Sequence, residues 1–374
     1  MKVLIVLEYY HPHTGGVERL FETIAIGLVR AGHEVRVITT HLPGYKKREE
    51  RHGVSIERIR VPFNSRSLFS LWATPAVARA ATWADVIHTS TYTAIPPSSF
   101  AGVVTKTPVL ITGHERIGRR WFALPRVNPI RALALYLSEH VLYRFPKALI
   151  AAVSEASKHD IIAAGIRAEK VIRVYNAIDP EPWHEHEQNE DLIETYGLRG
   201  RTVFVVYGRP GVSKGIEYAV RAFPSIKKRV SNATLLIVLS KRPEDGYVAV
   251  SRELDRIGRE DVIEKNDLPF NDLVEHVNLA DVVIIPSLTE GFGFTTYESC
   301  LLGKRVVASN AGSIPEVIFG RYALVKPADP EAIAHGCERV LKDEKRTEKK
   351  TFSEDAMIQG YLDAYERITQ KRRT

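Results

Sequence analysis

Residues 281–303 read Asp-Val-Val-Ile-Ile-Pro-Ser-Leu-Thr-Glu-Gly-Phe-Gly-Phe-Thr-Thr-Tyr-Glu-Ser-Cys-Leu-Leu-Gly. The apolar run Val282–Ile285 has the character of a buried strand, and a glycine-bearing loop follows it. That loop carries one carboxylate, Glu290, and opens a predicted helix carrying a second, Glu298. Gly291 and Gly293 let backbone N–H groups come close to a ligand, and a helix start favours an anion. Glu290 then stands at the mouth of the helix and Glu298 about one turn inside it. Such a loop suits a ligand with a sugar at one end, a diphosphate in the middle and a ribose at the other. Taken alone, Glu-Gly-Phe-Gly also fits an ordinary strand–loop–helix connection, so the remaining loops decide.

Working outward, the same alternation recurs along the whole chain. In the first half, strand-like runs lie at Val3–Leu7, Glu34–Thr39, Val86–His88, Val109–Thr112 and Ala148–Val153. A helix is predicted over Gly16–Ala31, with Leu20, Ile24, Leu28 and Val29 on one face and Gly32 as its stop. The second half repeats the plan at Val203–Tyr207, Thr234–Leu239, Val262–Glu264, Val282–Ile285 and Arg305–Ala308. Near-continuous apolar strands alternating with helices imply parallel sheets covered on both faces. The expected class is α/β, with two doubly wound Rossmann-like domains facing across a cleft. Pro180, Pro182 and the turn signal Asp179-Pro180 mark the join. The expected domains are residues 1–180 and 181–353, and the spacing of Ile358, Leu362, Tyr365 and Ile368 predicts a helix within 354–374. The tail 370–374 is basic and expected to fray.

Composition sets the outer limits. At 374 residues, 44% hydrophobic and 26% charged, the chain has the make-up of a soluble globular protein. No apolar run reaches membrane-span length. Met1 leads straight into a strand, so no signal peptide is expected and a cytoplasmic location is. Two cysteines, Cys300 and Cys337, cannot build a disulfide framework or a zinc cluster. The formal charge of +7 is uneven: residues 1–180 hold 24 Lys and Arg against 14 Asp and Glu, residues 181–374 hold 28 against 31. A basic first half is one way to face an anionic partner.

Ligands of open parallel sheets bind beyond the carboxyl ends of the strands. After the first strand comes Glu8-Tyr-Tyr-His-Pro-His-Thr-Gly-Gly16, where Gly15 and Gly16 at a helix start offer amides to an anion. His11 and His13 lack a third partner for a metal. After Val109–Thr112 comes Gly113-His114-Glu115, where His114 is placed to touch a polar ligand or to serve structure alone. After Val203–Tyr207 comes Gly208-Arg-Pro-Gly-Val-Ser-Lys-Gly215. Arg209 and Lys214 on one small loop make a diphosphate clamp, the guanidinium as a fork and the ammonium as a point charge. The spacing matches neither a Walker loop nor the dinucleotide fingerprint.

Together these loops resemble the GT-B retaining glycosyltransferases of the family 4 type, the group containing glycogen synthase, sucrose synthase and the phosphatidylinositol mannosyltransferases. The resemblance covers nearly the whole chain. It rests on Gly15-Gly16, on His114, on Asn176-Ala177-Ile178-Asp179 before the second domain, on Gly208-Arg209 with Lys214-Gly215, and on Glu290 with Glu298. It implies that Arg209 and Lys214 hold the donor diphosphate and that Gly15 and Gly16 contact the phosphates. Glu290 would hold sugar hydroxyls, with Phe292 and Gly293 supplying amides, and Glu298 the ribose hydroxyls. His114 would meet the transferred sugar near its anomeric carbon. The resemblance also implies that the C-terminal helix in 354–374 crosses back to complete the first domain, and that the donor is a UDP-, GDP- or ADP-linked sugar, with no cofactor and no metal.

The chain departs from the pattern at Glu115, where His-Asp is common, at Tyr175-Asn176-Ala177 in place of Pro-Asn-Gly, and at Glu298-Ser299-Cys300-Leu301 in place of Glu-Ala-Met-Ala. None of these removes a charged contact. The loops near Ser240–Gly246 and Asn266–Phe270 leave the base open.

Arg116, Arg119, Arg120, Trp121 and Arg126 follow His114 at once. Arginines mixed with aromatics fit an anionic membrane surface and a lipid-linked acceptor at the inner membrane face. A basic flap over a soluble acceptor is the alternative. No nucleic-acid motif is present. A non-catalytic nucleotide-sugar-binding protein is a rival from another class, and an inverting epimerase a third.

Overall fold

The computed structural model describes residues 1–13, 15–144, 148–343 and 345–370. Its internal contacts divide the chain into two units. Unit 1 comprises residues 1–121, 130–178 and the chain from Phe352 onward; unit 2 comprises residues 122–129 and 179–351. The stretch 122–129, which the sequence reading keeps with the first domain, therefore packs with unit 2. The basic tail from residue 371 lies outside the described residues.

Unit 1 runs β1 (Lys2–Val6), α1 (Gly16–Arg30), β2 (Glu34–Thr40), β3 (Arg48–Arg51), β4 (Val54–Ile59), α2 (Arg66–Ala81), β5 (Val86–Ser90), α3 (Ile95–Thr105), β6 (Val109–Gly113), α4 (Pro129–Leu142), β7 (Ala148–Ala152), α5 (Glu155–Ala163) and β8 (Val171–Arg173). The sheet order is β3-β4-β2-β1-β5-β6-β7-β8, parallel throughout except for β3 against β4. Successive strand residues face opposite ways, and two cores result. Val3, Ile5 and Leu7 pack under α1, whose Leu20, Ile24 and Leu28 are buried, while Leu4 and Val6 pack under α2 and α3.

Unit 2 runs α6 (Glu190–Thr195), β9 (Thr202–Gly208), α7 (Ile216–Arg229), β10 (Ala233–Leu239), α8 (Glu244–Ile257), β11 (Val262–Asn266), α9 (Phe270–Asn278), β12 (Val282–Ile285), α10 (Phe294–Leu301), β13 (Arg305–Ser309), α11 (Ile314–Val317), β14 (Tyr322–Val325) and α12 (Pro330–Lys342). Its six strands are ordered β11-β10-β9-β12-β13-β14. The last helix, α13 (Glu354–Gln370), returns to unit 1, where Met357, Tyr361 and Tyr365 join the α1 core.

In unit 2 the strand order reverses between β9 and β12, so the loops after these two strands flank a switch point, where doubly wound sheets place their ligands. These are the Arg209–Gly215 and Pro286–Gly293 loops.

Candidate functional site

In unit 2 the two loops are bound to each other. The Leu288 N–H donates to the Ser213 carbonyl at 2.7 Å. Gly215, at φ +58°, lies so close to the neighbouring loop that an added Cβ would sit 2.4 Å from the Pro286 carbonyl oxygen. Only glycine combines that approach with that backbone. The result is an ion pair: Lys214 Nζ lies 2.7 Å from Glu290 Oε2, which also accepts from Ser287 Oγ at 3.3 Å. The Glu290 carbonyl is held by Ser313, whose N–H and hydroxyl donate at 3.1 and 3.2 Å. Arg209 is exposed at the start of the same loop. Gly293 caps α10 in the left-handed region at φ +96°.

Glu298 sits one turn into α10, where Oε2 accepts the Tyr207 hydroxyl at 3.0 Å. That hydroxyl also lies 2.9 Å from the Thr295 carbonyl and 3.3 Å from Ser299 Oγ. Burial, and then the Glu298 charge, push the Tyr207 phenol well above its ordinary pKa, so it stays a donor. Tyr207 was not singled out from sequence, because as the last apolar residue of a strand it reads as core.

In unit 1, α1 begins at Gly15 in extended backbone, with no side-chain cap. The helices after Gly215 and Gly293 also start uncapped. Three helix starts thus leave first-turn amides for a ligand or water. His13 pairs with Glu18 at 2.9 Å and stacks on Tyr9, ring centroids 4.5 Å apart. Among the described residues, no group of three His, Cys, Asp or Glu is placed to share a metal ion.

His114, just past β6, places Nε2 2.9 Å from Ser90 Oγ, and Ser90 Oγ lies 3.2 Å from the Thr91 carbonyl. If Ser90 donates to that carbonyl, the imidazole donates from Nε2. Burial lowers the His114 pKa to about 4, so the ring is neutral near pH 7. Behind it His88, fully buried, bridges Tyr365 and Thr112 at 2.7 Å each. Burial and the His114 charge lower its pKa to about 3.

The basic stretch after His114 is less open than its sequence implies. Arg120 pairs with Asp160 at 2.9 Å, and Arg116 Nε is buried. Trp121 Nε1 donates to Glu139 at 3.0 Å. Arg126 lies in unit 2, 3.2 Å from Glu217, and donates to the Asp245 carbonyl at 3.3 Å. Of the five residues, Arg119 and Arg120 are exposed. Glu139, which sequence reasoning passed over, organises this stretch: it also accepts from the Ile117 and Gly118 amides at 3.3 and 2.7 Å and from the Tyr92 hydroxyl at 3.1 Å.

Two parallel doubly wound sheets, with a cation–carboxylate pair at one switch point, define a GT-B type transferase. The family model described as Glycosyltransferase Family 4 matches residues 14–182, and the one described as Glycosyl transferases group 1 matches residues 188–356. The chain belongs to the glycosyltransferases of the family 4 type. It is 29% identical to an uncharacterized glycosyltransferase of Methanocaldococcus jannaschii over 362 residues, 92% of this chain and 90% of that protein. It is 24% identical over 365 residues to the GDP-mannose-dependent alpha-(1-6)-phosphatidylinositol monomannoside mannosyltransferase of Mycolicibacterium smegmatis, again 92% of this chain and 90% of that protein. Among solved structures, Anabaena HepE in complex with UDP-glucose superposes with a TM-score of 0.73 at 20% identity, covering 98% of this chain and 100% of that one.

Proposed function

We propose that the chain transfers a hexosyl unit from a nucleoside-diphosphate sugar to a hydroxyl of a lipid or lipid-linked glycan, with retention at the anomeric carbon. The observation that carries this reading is the Lys214–Glu290 pair at the β9–β12 switch point, with Arg209 exposed on the same loop as Lys214. It puts cations for a diphosphate and a carboxylate for sugar hydroxyls on two loops that hold each other. Arg209 and Lys214 stabilise the departing diphosphate, so the reaction needs no divalent metal. Glu298, oriented by Tyr207, takes the ribose hydroxyls. The neutral His114, its Nε2 proton directed to Ser90, offers Nδ1 as an acceptor to a hydroxyl of the transferred sugar. In the front-face route the leaving diphosphate takes the acceptor proton, and the protein contributes positioning and charge stabilisation. The lipid acceptor draws support from the phosphatidylinositol mannoside relative of similar length. No helix of the described residues is long and apolar enough to cross a membrane, so the proposed location is peripheral, at the cytoplasmic face.

The test is thermal stabilisation by UDP-, GDP- and ADP-sugars, with and without EDTA, followed by NMR assignment of the product anomer. A shift with one donor that survives EDTA, and an anomer matching the donor, are the expected results. Stabilisation lost with EDTA overturns the metal-free clamp. An inverted anomer overturns retention. Donor binding without transfer to any lipid or soluble acceptor favours a nucleotide-sugar-binding protein.

A further inference from the structure

Helix α4 is built inside out. Its sole acid, Glu139, points inward and is buried, its carboxylate taken up by two amides, the Trp121 indole and the Tyr92 hydroxyl. Ala132, at 0% exposure, shares that inner side, and Tyr143, one residue past the helix end, continues it at 3%. The opposite side carries Ile130, Leu133, Leu137 and Val141, exposed by 83, 48, 50 and 61%. Their spacing of three, four and four residues confines them to an arc of about 80°, a stripe about 16 Å long. A helix resting on a soluble core presents the reverse arrangement. An apolar stripe of this size marks an interaction surface.

The charges around it select the occupant. With Glu139 withdrawn, the outer side of α4 presents no carboxylate, while Arg131 on the helix is exposed, as is Arg119 next to the Gly118 amide that Glu139 holds. Helices α2 and α3, on the same face of the sheet, contain no Asp or Glu either. α2 packs over β4, β2 and β1 and α3 over β5 and β6, in the same core as Tyr143, and Trp72 of α2 and Phe100 of α3 are exposed. An apolar stripe on a helix that carries an exposed arginine and turns its one acid inward complements a surface that is apolar below and anionic above.

We infer that the outer side of α4 is the element by which this chain lies on an anionic bilayer. The aliphatic stripe enters the headgroup–acyl boundary and Arg119 and Arg131 meet lipid phosphates. This deepens the lipid-acceptor reading and moves the contact from the arginine-rich loop to the helix behind it. The contact itself stands whether or not that reading does.

The experiment is co-sedimentation of the full chain with vesicles of phosphatidylglycerol and phosphatidylcholine, against pure phosphatidylcholine. The parent should partition onto the anionic vesicles, and the double variant Leu133→Gln with Leu137→Gln should partition at least about tenfold less. Both lost side chains are half exposed, so the fold should persist, checked by an unchanged donor-induced thermal shift. A separate variant, Leu137→Trp, should show blue-shifted indole emission on adding anionic vesicles. Equal partitioning of double variant and parent, or no partitioning of the parent, overturns the inference. So does a parent dimer that the double variant converts to monomer without change in vesicle binding, since a second copy then covers the stripe. Vesicle binding without any donor shift would leave the docking face standing and remove the transferase reading instead.

Discussion

Lys214 Nζ and Glu290 Oε2 meet at 2.7 Å although 76 residues separate them in sequence. The contact joins the loop after β9 to the loop after β12, and the lysine side chain remains 34% exposed against 11% for the glutamate. The ammonium thus keeps contact with solvent while the carboxylate it pairs with is largely shielded. A pair of this exposure contributes at most about 1 kcal/mol to stability. Lys214→Ala should leave the melting temperature within a few degrees of the parent and lower transfer at least about a hundredfold, by removing a charge from the leaving diphosphate. Near-parental turnover would refute the clamp. Glu290→Gln keeps the shape and should weaken donor binding less than the lysine change does.

Gly215 tests whether the two loops must touch. An added methyl would lie 2.4 Å from the Pro286 carbonyl oxygen, on backbone at φ +58°. Gly215→Ala should cost about 2 kcal/mol through strain and displaced backbone. That corresponds to a fall in melting temperature of about 4–8 °C for a domain of this size, read by differential scanning fluorimetry. Donor affinity should fall in parallel, because the strain acts on the loop that carries Lys214. A melting temperature equal to the parent's would show that the loops separate freely.

Both sheets were legible because their central strands are apolar runs, and Val282–Ile285 was placed to the residue. The strands that escaped notice lie toward the edges. β3 is Arg-Glu-Glu-Arg, with no apolar residue to announce it, and it forms only by pairing against β4. β4 does alternate, with Val54 and Ile56 buried, and the His52-Gly53 turn before it was a usable signal. The glycine loops could be read because glycine, arginine and lysine after a strand end constrain what can bind there. Tyr207 and Glu139 could not: each acts through a partner far away in sequence, Glu298 and Trp121 among them. A lone acid inside the aliphatic stretch 130–142 was nonetheless a visible oddity.

Tyr207 gives a separable test of the ribose assignment. Its hydroxyl touches Glu298 at 3.0 Å and the Thr295 carbonyl at 2.9 Å from a buried ring, so Tyr207→Phe removes the hydroxyl's contacts and leaves the packing. The stability cost should be about 1 kcal/mol. With Glu298 less firmly oriented, KM for the donor should rise about three- to tenfold while kcat stays within twofold, as expected when ground-state and transition-state binding weaken together. A fall in kcat at constant KM would place Glu298 in the chemical step rather than at the ribose.

Acid should loosen the first unit through His88 and His114. Both imidazoles are held neutral, with folded values near 3 and 4, below the ordinary 6.5. Between those values and 6.5 the unfolded chain binds more protons than the folded one, so stability rises with pH across this window and is lost as pH falls. Above about pH 7 neither group contributes a slope. At pH 5 each histidine should have removed about 2 kcal/mol relative to pH 7. Urea titrations at pH 7, 6 and 5 measure the slope. His114→Gln keeps a side-chain amide near Ser90 and cannot titrate, so it should flatten the slope by about half. An unchanged slope in that variant would mean that His114 takes up a proton in the folded state at an ordinary pKa, and the neutral acceptor role assigned to it would fall with that result.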